Sequence, residues 1–325
     1  MTDVLSDLLR AVRFRGAIFY YTEGTSPWVA ETPAAAAIAP AILPGSEHMI
    51  PFHGIVKGAC WAGIVGQESF RLAQGDPHVM SSAPGLRDPN VDASSYFTPR
   101  PPQLPHALHL GDARGGARRE RVTIACGYLG LDARPFNPLL QALPHVMHVR
   151  GRELGDGAWI TTFLGVVVDE SRRRRPGGEA VLERMSEMLF VEVLRRHVDA
   201  LPPEGTGWLA GMRDPAVGKA LTLLHGAPRK AWTLAGLSRG AGLSRTRLHE
   251  RFVHLLGQPP MQYLTRWRMQ LAAVRLRDTD AKHAQIALDV GYDSEAAFSR
   301  AFKREVGVSP AEWRRTKRPR APGPA

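Results

Sequence analysis

A duplicated pattern near the C-terminus constrains this 325-residue chain more than any other feature of its sequence. The two copies lie about fifty residues apart. In each, a small residue stands four positions before a glycine, which lets two helices approach closely and the chain turn with positive φ. A serine then caps a second helix, whose apolar residues face inward and leave the other face free. The copies read Leu237-Ser238-x3-Gly242-Leu243-Ser244-x3-Leu248-x3-Phe252-x4-Gly257-x2-Pro260 and Ile286-Ala287-x3-Gly291-Tyr292-Asp293-Ser294-x3-Phe298-x3-Phe302-x4-Gly307-x2-Pro310.

This pattern predicts two helix-turn-helix units, each able to enter a DNA major groove. A connecting helix of about 17 residues would span roughly 25 Å at 1.5 Å per residue. With its flanking turns it would set the two second helices about one DNA turn, roughly 34 Å, apart. We therefore expect a monomer to read two successive major grooves. The predicted helices cover residues 215–225, 234–241, 245–255, 260–276, 284–290 and 295–305, and a last short helix begins at Ser309-Pro310.

The excess positive charge of the chain lies in the segment that carries the repeat. Residues 214–325 hold 20 Lys and Arg against 9 Asp and Glu, which gives +11, the net charge of the whole chain. A basic excess confined to one region is typical of a nucleic-acid binder. The repeat contains no long amphipathic face with which to enter a membrane surface, so we expect double-stranded DNA as the partner.

Cysteine content and hydropathy narrow the class further. Two cysteines, Cys60 and Cys126, argue against a disulfide-rich secreted protein and against a multi-cysteine zinc site. The first thirty residues carry acidic and basic side chains and no apolar signal-peptide core. No run approaches the roughly 18 apolar residues that a membrane helix needs. These observations predict a cytoplasmic protein with no membrane partner.

Between about residues 14 and 168, short apolar runs alternate with turn residues. The runs lie at 17–21, 50–56, 60–65, 122–126 and 159–168. Strands at this spacing predict an all-β barrel or sandwich. Residues 81–121 are rich in Pro, Gly, Arg and Ser, and are expected to include a mobile loop.

A run of four arginines, Arg172 to Arg175, followed by Pro176-Gly177-Gly178 marks a boundary. We interpret the run as a solvated linker rather than a phosphate contact. Residues 179–198 then have helical periodicity, with an apolar stripe that can pack on the β domain or on a partner chain, so a homodimer is possible on sequence grounds. The expected organisation is a sensor domain at 1–171, a linker with a coupling or dimerisation helix at 172–207, and a DNA-binding domain at 208–325.

The second copy and the connector resemble the AraC/XylS family of bacterial transcriptional regulators. The motif residues are Gly291-Tyr292-x-Ser294-x3-Phe298-x-Arg300-x-Phe302-x4-Gly307-x-Ser309-Pro310, preceded by Tyr263-Leu264-x3-Arg268-Met269-x2-Ala272. The resemblance covers about residues 208–316. It implies two helix-turn-helix subdomains joined by a connector helix. It also implies a regulator, more often an activator, that responds to a small-molecule effector or a chemical stress and acts with RNA polymerase.

The first 200 residues resemble the cupin-like ligand-binding domain found in one branch of that family. The expected fold is therefore an α+β multidomain protein, with an N-terminal cupin-like β-barrel and a C-terminal all-α domain. The resemblance rests on Phe52-His53-x4-Lys57-Gly58-x-Cys60-Trp61, Leu72-x2-Gly75-Asp76, Cys126-Gly127-Tyr128 and Leu139-x3-Leu143-Pro144.

The residues predicted to contact DNA lie on the outward faces of the two second helices. Arg245 and Arg300 suit guanine O6 and N7 or a nearby phosphate. Glu250 occupies the position that corresponds to Arg300, so the two copies should not read the same sequence. The alternative for any one of these residues is an ordinary solvated helix face. The set also includes Thr246, His249, Glu295, Ala296 and Ser299, with Arg247, Lys303 and Arg304 as phosphate contacts.

In the sensor domain, the predicted ligand-binding residues are His53 and Trp61. No His-x-His pair with a spaced Glu is present, so we expect no metal and no cofactor. Cys60 and Cys126 could form a reversible thiol switch, although two buried, inert thiols are the more economical interpretation. We expect no enzyme activity. The alternatives are a cupin-type metal-dependent enzyme fused to a DNA-targeting module, and a nonspecific DNA-binding protein.

Overall fold

The structure is a computed structural model that describes residues 3–12, 14–25, 35–62, 70–74, 77–80, 107–110, 121–144, 146–148 and 157–317. The chain forms two compact units. The sheet unit comprises Phe14–Asp132 and Leu143–Ala200, and the helical unit comprises Met1–Arg13, Ala133–Ala142 and Leu201–Ala325. This division differs from the contiguous domains expected from the sequence, because two segments from the N-terminal half belong to the helical unit.

The sheet unit is built on a six-stranded sheet in the order β6-β1-β7-β2-β5-β8. Neighbouring strands are antiparallel except for the parallel pair of β1 and β6. A separate two-stranded sheet joins β3 and β4. The strands are β1 (Phe14–Thr25), β2 (His48–Lys57), β3 (Ala59–Ala62), β4 (Phe70–Ala73), β5 (Pro77–Met80), β6 (Ala107–Leu110), β7 (Arg121–Leu131) and β8 (Val146–His148).

The predicted β-rich domain is confirmed, but the described strands form open sheets rather than the expected barrel. Within the described ranges, no pairing joins the outer strands β6 and β8. Closing a barrel requires its edge strands to pair with a fixed stagger, which local strand patterning does not encode. Apart from β6 and Arg121, the predicted loop at 81–121 lies outside the described residues.

The run at 159–168 was predicted as a strand, and this prediction is wrong. It lies within helix α4 (Gly157–Arg173). Its buried residues fall at helical spacing, at Ile160, Leu164 and Val167. Tertiary burial of this stripe outweighs the β-propensity of the run's threonines and valines. Arg172 and Arg173 also belong to the last turn of α4, so the arginine run is only in part a linker.

Helix α5 (Gly178–Ala200) confirms the predicted helix at 179–198. Its stripe packs on the sheet, and the ring of Phe190 meets that of Phe14 edge-on at a centroid distance of 6.0 Å. On the opposite side, Val181 and Met188 are exposed. The part of the sheet unit that the structure describes also contains helix α2 (Ala35–Ile42).

The helical unit confirms the predicted helices and adds three that the sequence reading missed, α1, α3 and α6. Within the described residues its helices are α1 (Val4–Ala11), α3 (Pro138–Ala142), α6 (Trp208–Arg213), α7 (Pro215–Gly226), α8 (Leu234–Ala241), α9 (Arg245–Leu256), α10 (Pro260–Asp278), α11 (His283–Asp289), α12 (Glu295–Val306) and α13 (Pro310–Lys317). None of the described helices is long and apolar enough to cross a membrane.

Candidate nucleic-acid interface

The first helix-turn-helix consists of α8 and α9. Gly242, with φ of 77°, ends α8, and the Leu243 amide donates to the Ser238 carbonyl at 3.0 Å, which closes the turn. The Ser244 hydroxyl accepts from the Arg247 amide at 3.3 Å and starts α9. Leu248 and Phe252 are fully buried under α9. The cap and the buried stripe together decide which face of α9 remains in solvent.

The second helix-turn-helix, α11 and α12, repeats this construction with local differences. Gly291 has a φ of 86°, and the Tyr292 amide donates to the Ala287 carbonyl at 2.9 Å. Ser294 caps α12 by accepting from the Ala297 amide at 3.2 Å. Phe298 and Phe302 are buried beneath α12, as predicted. Asp293, which has no counterpart in the turn of the first helix-turn-helix, is exposed.

The structure places the predicted contact residues on the outer faces of α9 and α12. We refer to these residues together as the contact surface. Ser299 is half-buried, and the others are exposed: Arg245, Thr246, Arg247, His249 and Glu250 on α9, and Glu295, Ala296, Arg300, Lys303 and Arg304 on α12.

The charged members of this surface differ in their intramolecular contacts. Within the described ranges, neither Arg245 nor Arg300 forms an ion pair, so both guanidinium groups are available to a ligand. Arg304, in contrast, lies 3.1 Å from Glu305. Glu295 lies 3.8 Å from the ring of His283.

The connector helix α10 supplies side chains to the cores of both helix-turn-helix units. In the first core, Tyr263 accepts from Trp208 Nε1 at 2.9 Å, and its hydroxyl lies 2.8 Å from His225 Nε2. In the second, Met269, Ala272, Ala273 and Leu276 pack with Phe298 and Phe302. Trp267 and Trp313 are buried in these cores, whereas Trp232 is only partly buried.

The packing in the first core also controls the protonation of His225. Its ring stacks on Trp267 at a centroid distance of 4.1 Å. Burial lowers the pKa of His225 to about 3, so the imidazole is neutral at physiological pH.

Sequence reasoning missed an ion pair that orients α9. Arg251 Nε donates to the Asp214 carboxylate at 2.6 Å, and the same carboxylate accepts from the Ala216 and Val217 amides. Partial burial alone would raise the pKa of Asp214, but the Arg251 contact and these amides bring it below its usual value. The sequence feature that could have indicated the role of Asp214 is the dipeptide Asp214-Pro215, an N-cap followed by proline at the first helical position.

In the sheet unit, the residues predicted for ligand binding and for a thiol switch lie in two environments, the protein interior and the solvent-exposed surface. Within the interior, His53 Nδ1 lies 3.2 Å from Cys126 Sγ, and burial lowers the pKa of His53 to about 4. Cys60 packs against the same core cluster, and burial raises the pKa of each cysteine to about 12. Trp61, by contrast, is 65% exposed. The fold therefore does not bring His53 and Trp61 to one evident site.

A cleft of about 910 Å³ lies beside α4 at the ends of β1, β2 and β7. The Arg172 guanidinium at its edge donates to Glu23 at 2.7 Å. Two further cations line the cleft, Lys57 and Arg121. Its apolar wall includes Val56, Val122, Val166 and Val168, and neither His53 nor Trp61 contributes to the lining.

No group of three or more His, Cys, Asp or Glu side chains suitable for a metal ion occurs within the described ranges.

Two capped helix-turn-helix units on one connector define a DNA-binding regulator with a separate β-rich unit. The family model described as Cupin matches residues 3–199, and that described as Helix-turn-helix domain matches residues 237–316. A putative AraC-like transcription regulator from Streptomyces lividans is 34% identical over 277 residues, covering 83% of this chain and 88% of the relative.

Two further relatives extend the comparison. The HTH-type transcriptional regulator AlkR from Acinetobacter baylyi is 28% identical over 96% of this chain and 99% of its own length. The RCS-specific HTH-type transcriptional activator RclR from Escherichia coli is 30% identical over 62% of this chain and 71% of its own. The chain belongs to the AraC family of helix-turn-helix transcription regulators with an N-terminal cupin domain. As a member it binds DNA through its helix-turn-helix domain, and its relatives are regulators, not enzymes.

Proposed function

We propose that α9 and α12 enter two successive major grooves of one asymmetric operator. The observation that carries this proposal is that both helices are capped, face solvent and are anchored to the single helix α10. At 1.5 Å per residue the 19 residues of α10 span about 28 Å, close to one turn of DNA.

Within this interface, we propose base contacts for Arg245 and Arg300 and phosphate contacts for Arg247, Lys303 and Arg304. The two arginines are exposed and unpaired within the described residues, which favours bidentate contacts with guanine. Glu250 on α9 would accept from cytosine N4, where α12 offers Arg300 instead. The remaining surface residues would complete the contact with DNA: Thr246, His249, Glu295, Ala296 and Ser299.

In vitro selection from random duplexes with the full-length protein tests this function. We expect one asymmetric motif with two protected segments about 10 bp apart. Arg245→Ala and Arg300→Ala should each weaken binding about 5- to 100-fold and relax the preference at one segment only. Arg184→Ala on α5 removes the same charge in the sheet unit and serves as the control. Uniform, salt-sensitive binding with no enriched motif would leave only an electrostatic DNA clamp.

We further propose that the protein is an activator that contacts RNA polymerase and responds to a small molecule or chemical stress. The name of the Escherichia coli relative RclR describes an RCS-specific activator, which supports this regulatory class. Transcription from a promoter carrying the selected operator, with and without the protein, tests the sign. A fall in transcript on adding the protein would make it a repressor.

The cleft at the ends of β1, β2 and β7 is our proposed effector site. Lys57 and Arg121 suit an acidic group, whereas Val122 and Val166 suit an apolar body. Organic acids should therefore raise the melting temperature more than the corresponding alcohols. Lys57→Ala and Arg121→Ala should abolish that shift, while Arg173→Ala, outside the cleft, should retain it. If His53→Ala or Trp61→Ala removes the shift and the cleft variants do not, the effector binds at those residues instead.

For Cys60 and Cys126 we propose a packing role rather than a redox role. Burial raises the pKa of each thiol to about 12, so the reactive thiolate is scarce at neutral pH. Cys60→Ser and Cys126→Ser should leave the response of the promoter to oxidants unchanged. A lost response would establish the thiol switch.

A homodimer through α5 is proposed from its exposed apolar side chains, Val181 and Met188, which lie two helical turns apart. Sedimentation of the full-length protein should show a dimer that Met188→Glu dissociates. A monomeric wild-type protein would mean that the exposed face of α5 does not mediate self-association.

A further inference from the structure

Gln270 is a buried polar residue on the connector helix, and both ends of its amide are used. Nε2 donates to the carbonyl oxygen of Ala11 at 2.7 Å, and Oε1 accepts from the backbone amide of Phe136 at 3.0 Å. The side chain is 2% exposed. These partners lie 259 and 134 residues away in sequence.

The segment at 133–142 is seated in the core of the first helix-turn-helix unit. The ring of Phe136 meets that of Tyr263 edge-on at 5.5 Å, and the guanidinium of Arg266 lies 4.3 Å from the Phe136 centroid. Phe136 is itself 2% exposed. Helix α1 also packs on α7 and α10. Both segments are therefore structural parts of the helical unit.

The two segments are continuous with one cross-strand pair of the sheet. Phe14, the first residue of β1, directly follows the α1 segment, and Leu131 ends β7 just before the segment at 133–142. Phe14 and Leu131 are paired in the antiparallel register of β1 and β7. The paired strands β1 and β7 are therefore joined along the chain to the two segments that contain the hydrogen-bond partners of Gln270.

We infer that Gln270 is a positioning residue that couples the β1–β7 pair of the cupin domain to the connector helix. A change in the twist or separation of β1 and β7 moves the two segments, and Gln270 passes that movement to α10. Because α10 contributes to the cores of both helix-turn-helix units, the movement changes how α9 and α12 are presented to DNA. A buried amide is suited to this role, because breaking either hydrogen bond leaves a polar group unsatisfied.

The two hydrogen bonds of Gln270 hold residues 4–12 and 133–142 on α10, and we call this arrangement the clamp. Hydrogen exchange of the full-length protein tests it directly. Gln270→Met keeps the side-chain length and removes both hydrogen bonds. We expect exchange to rise at least tenfold in peptides covering 4–12 and 133–142, while peptides from α12 keep their wild-type rates. Gln262→Met, an exposed position on the same helix, is the matched control and should change none of these rates. Wild-type exchange of both segments in Gln270→Met would overturn the inference.

A second variant separates the two contacts and remains informative if Gln270→Met does not fold. Gln270→Glu, measured at a pH high enough to ionise the buried carboxyl, keeps an acceptor for the Phe136 amide but cannot donate to the Ala11 carbonyl. It should therefore release residues 4–12 while protection at 133–142 persists. Equal release of both segments, or release of neither, contradicts a clamp with two independent contacts.

The coupling itself is read from DNA binding. Affinity for the duplex recovered by selection should fall at least threefold in Gln270→Met and stay within error in Gln262→Met. Faster exchange with unchanged affinity would reduce Gln270 to a purely structural contact and overturn its role in coupling. The exchange measurement requires no operator, so failure of the proposed DNA specificity and failure of the clamp are distinguishable.

Discussion

Arg268 lies over the ring of Tyr292, with its guanidinium carbon 5.8 Å from the ring centroid. The same guanidinium donates to the carbonyl oxygens of Pro228 and Lys230, at 2.8 and 2.9 Å. Pro228 and Lys230 precede the first helix-turn-helix, and Tyr292 lies in the turn of the second. One side chain on the connector therefore joins the segment that leads into the first helix-turn-helix to the turn of the second, and helps to set the distance and angle between α9 and α12.

Replacing Arg268 by Met should weaken the link between the two helix-turn-helix units. The variant loses two charge-assisted hydrogen bonds and a cation–π contact, at a cost of about 2 kcal/mol. Operator affinity should fall about tenfold, and the footprint should keep one protected segment and lose much of the other. Tyr292→Phe retains the ring and should bind as wild type does. A full two-segment footprint in Arg268→Met would show that α10 alone sets the spacing.

Gly291 and Gly307 form a matched pair for testing why the second turn requires glycine. Both have positive φ, 86° and 89°. A Cβ on Gly291 would lie 2.8 Å from both the Arg229 carbonyl oxygen and Arg268 Nη2, whereas one on Gly307 would meet nothing within 4 Å. Gly307→Ala should cost about 1 kcal/mol from the backbone alone. Gly291→Ala should cost about 2–3 kcal/mol in urea unfolding, because steric contact adds to the backbone strain. Equal costs would contradict this account.

The buried His225 predicts a specific pH dependence of stability. Its folded-state pKa of about 3 lies below the ordinary value of 6.5, so below pH 6.5 the unfolded chain binds a proton that the folded one does not. The contribution of neutral His225 is thus fully present above pH 6.5 and declines by about 1.4 kcal/mol per pH unit as pH falls towards 3. Between pH 7.5 and 5.0 the loss should be about 2 kcal/mol.

Urea unfolding followed by tryptophan fluorescence measures this effect as a difference between two proteins. His225→Phe keeps a ring to stack on Trp267 but cannot titrate. The difference in unfolding free energy between wild type and His225→Phe should shrink by about 2 kcal/mol on going from pH 7.5 to 5.0. Contributions from other histidines, such as His53, cancel in the comparison. A difference that stays constant with pH would mean that folding does not shift the pKa of His225.

Asp214 combines a helix cap with the ion pair to Arg251, and two substitutions separate these roles. Asn can still cap α7, so Asp214→Asn should lose only the ion pair, at about 1 kcal/mol, because its Arg251 end is solvent-exposed. Asp214→Ala should cost about 1 kcal/mol more in thermal unfolding, because the cap is also lost. The folded-state pKa of Asp214 is lowered, so its contribution is present above pH 3.8 and is lost as pH falls through the folded value. Identical stability of the Asn and Ala variants would mean that the cap at position 214 does not contribute to the stability of the protein.

The extent of agreement between sequence and structure follows from the range of the interactions involved. The turn at Gly242 and Ser244 depends on backbone and cap geometry within a few residues, so the sequence predicts both helix ends closely. The outward face of α9 follows from the spacing of Leu248 and Phe252. The strand prediction for residues 159–168 is wrong because the composition of this run favours a strand, whereas burial on the sheet stabilises a helix.

The sequence by itself therefore determined the helix-turn-helix pair, the charged segment that contains it and the residues on its outer faces, because these depend on local periodicity and on caps. Only the tertiary structure decided that residues 1–13 and 133–142 belong to the helical unit and that Gln270 joins them. It also decided that Arg268 joins the segment before the first helix-turn-helix to the turn of the second. These contacts link residues up to 259 positions apart, and no local pattern records such a pairing, since it exists only once the chain has packed.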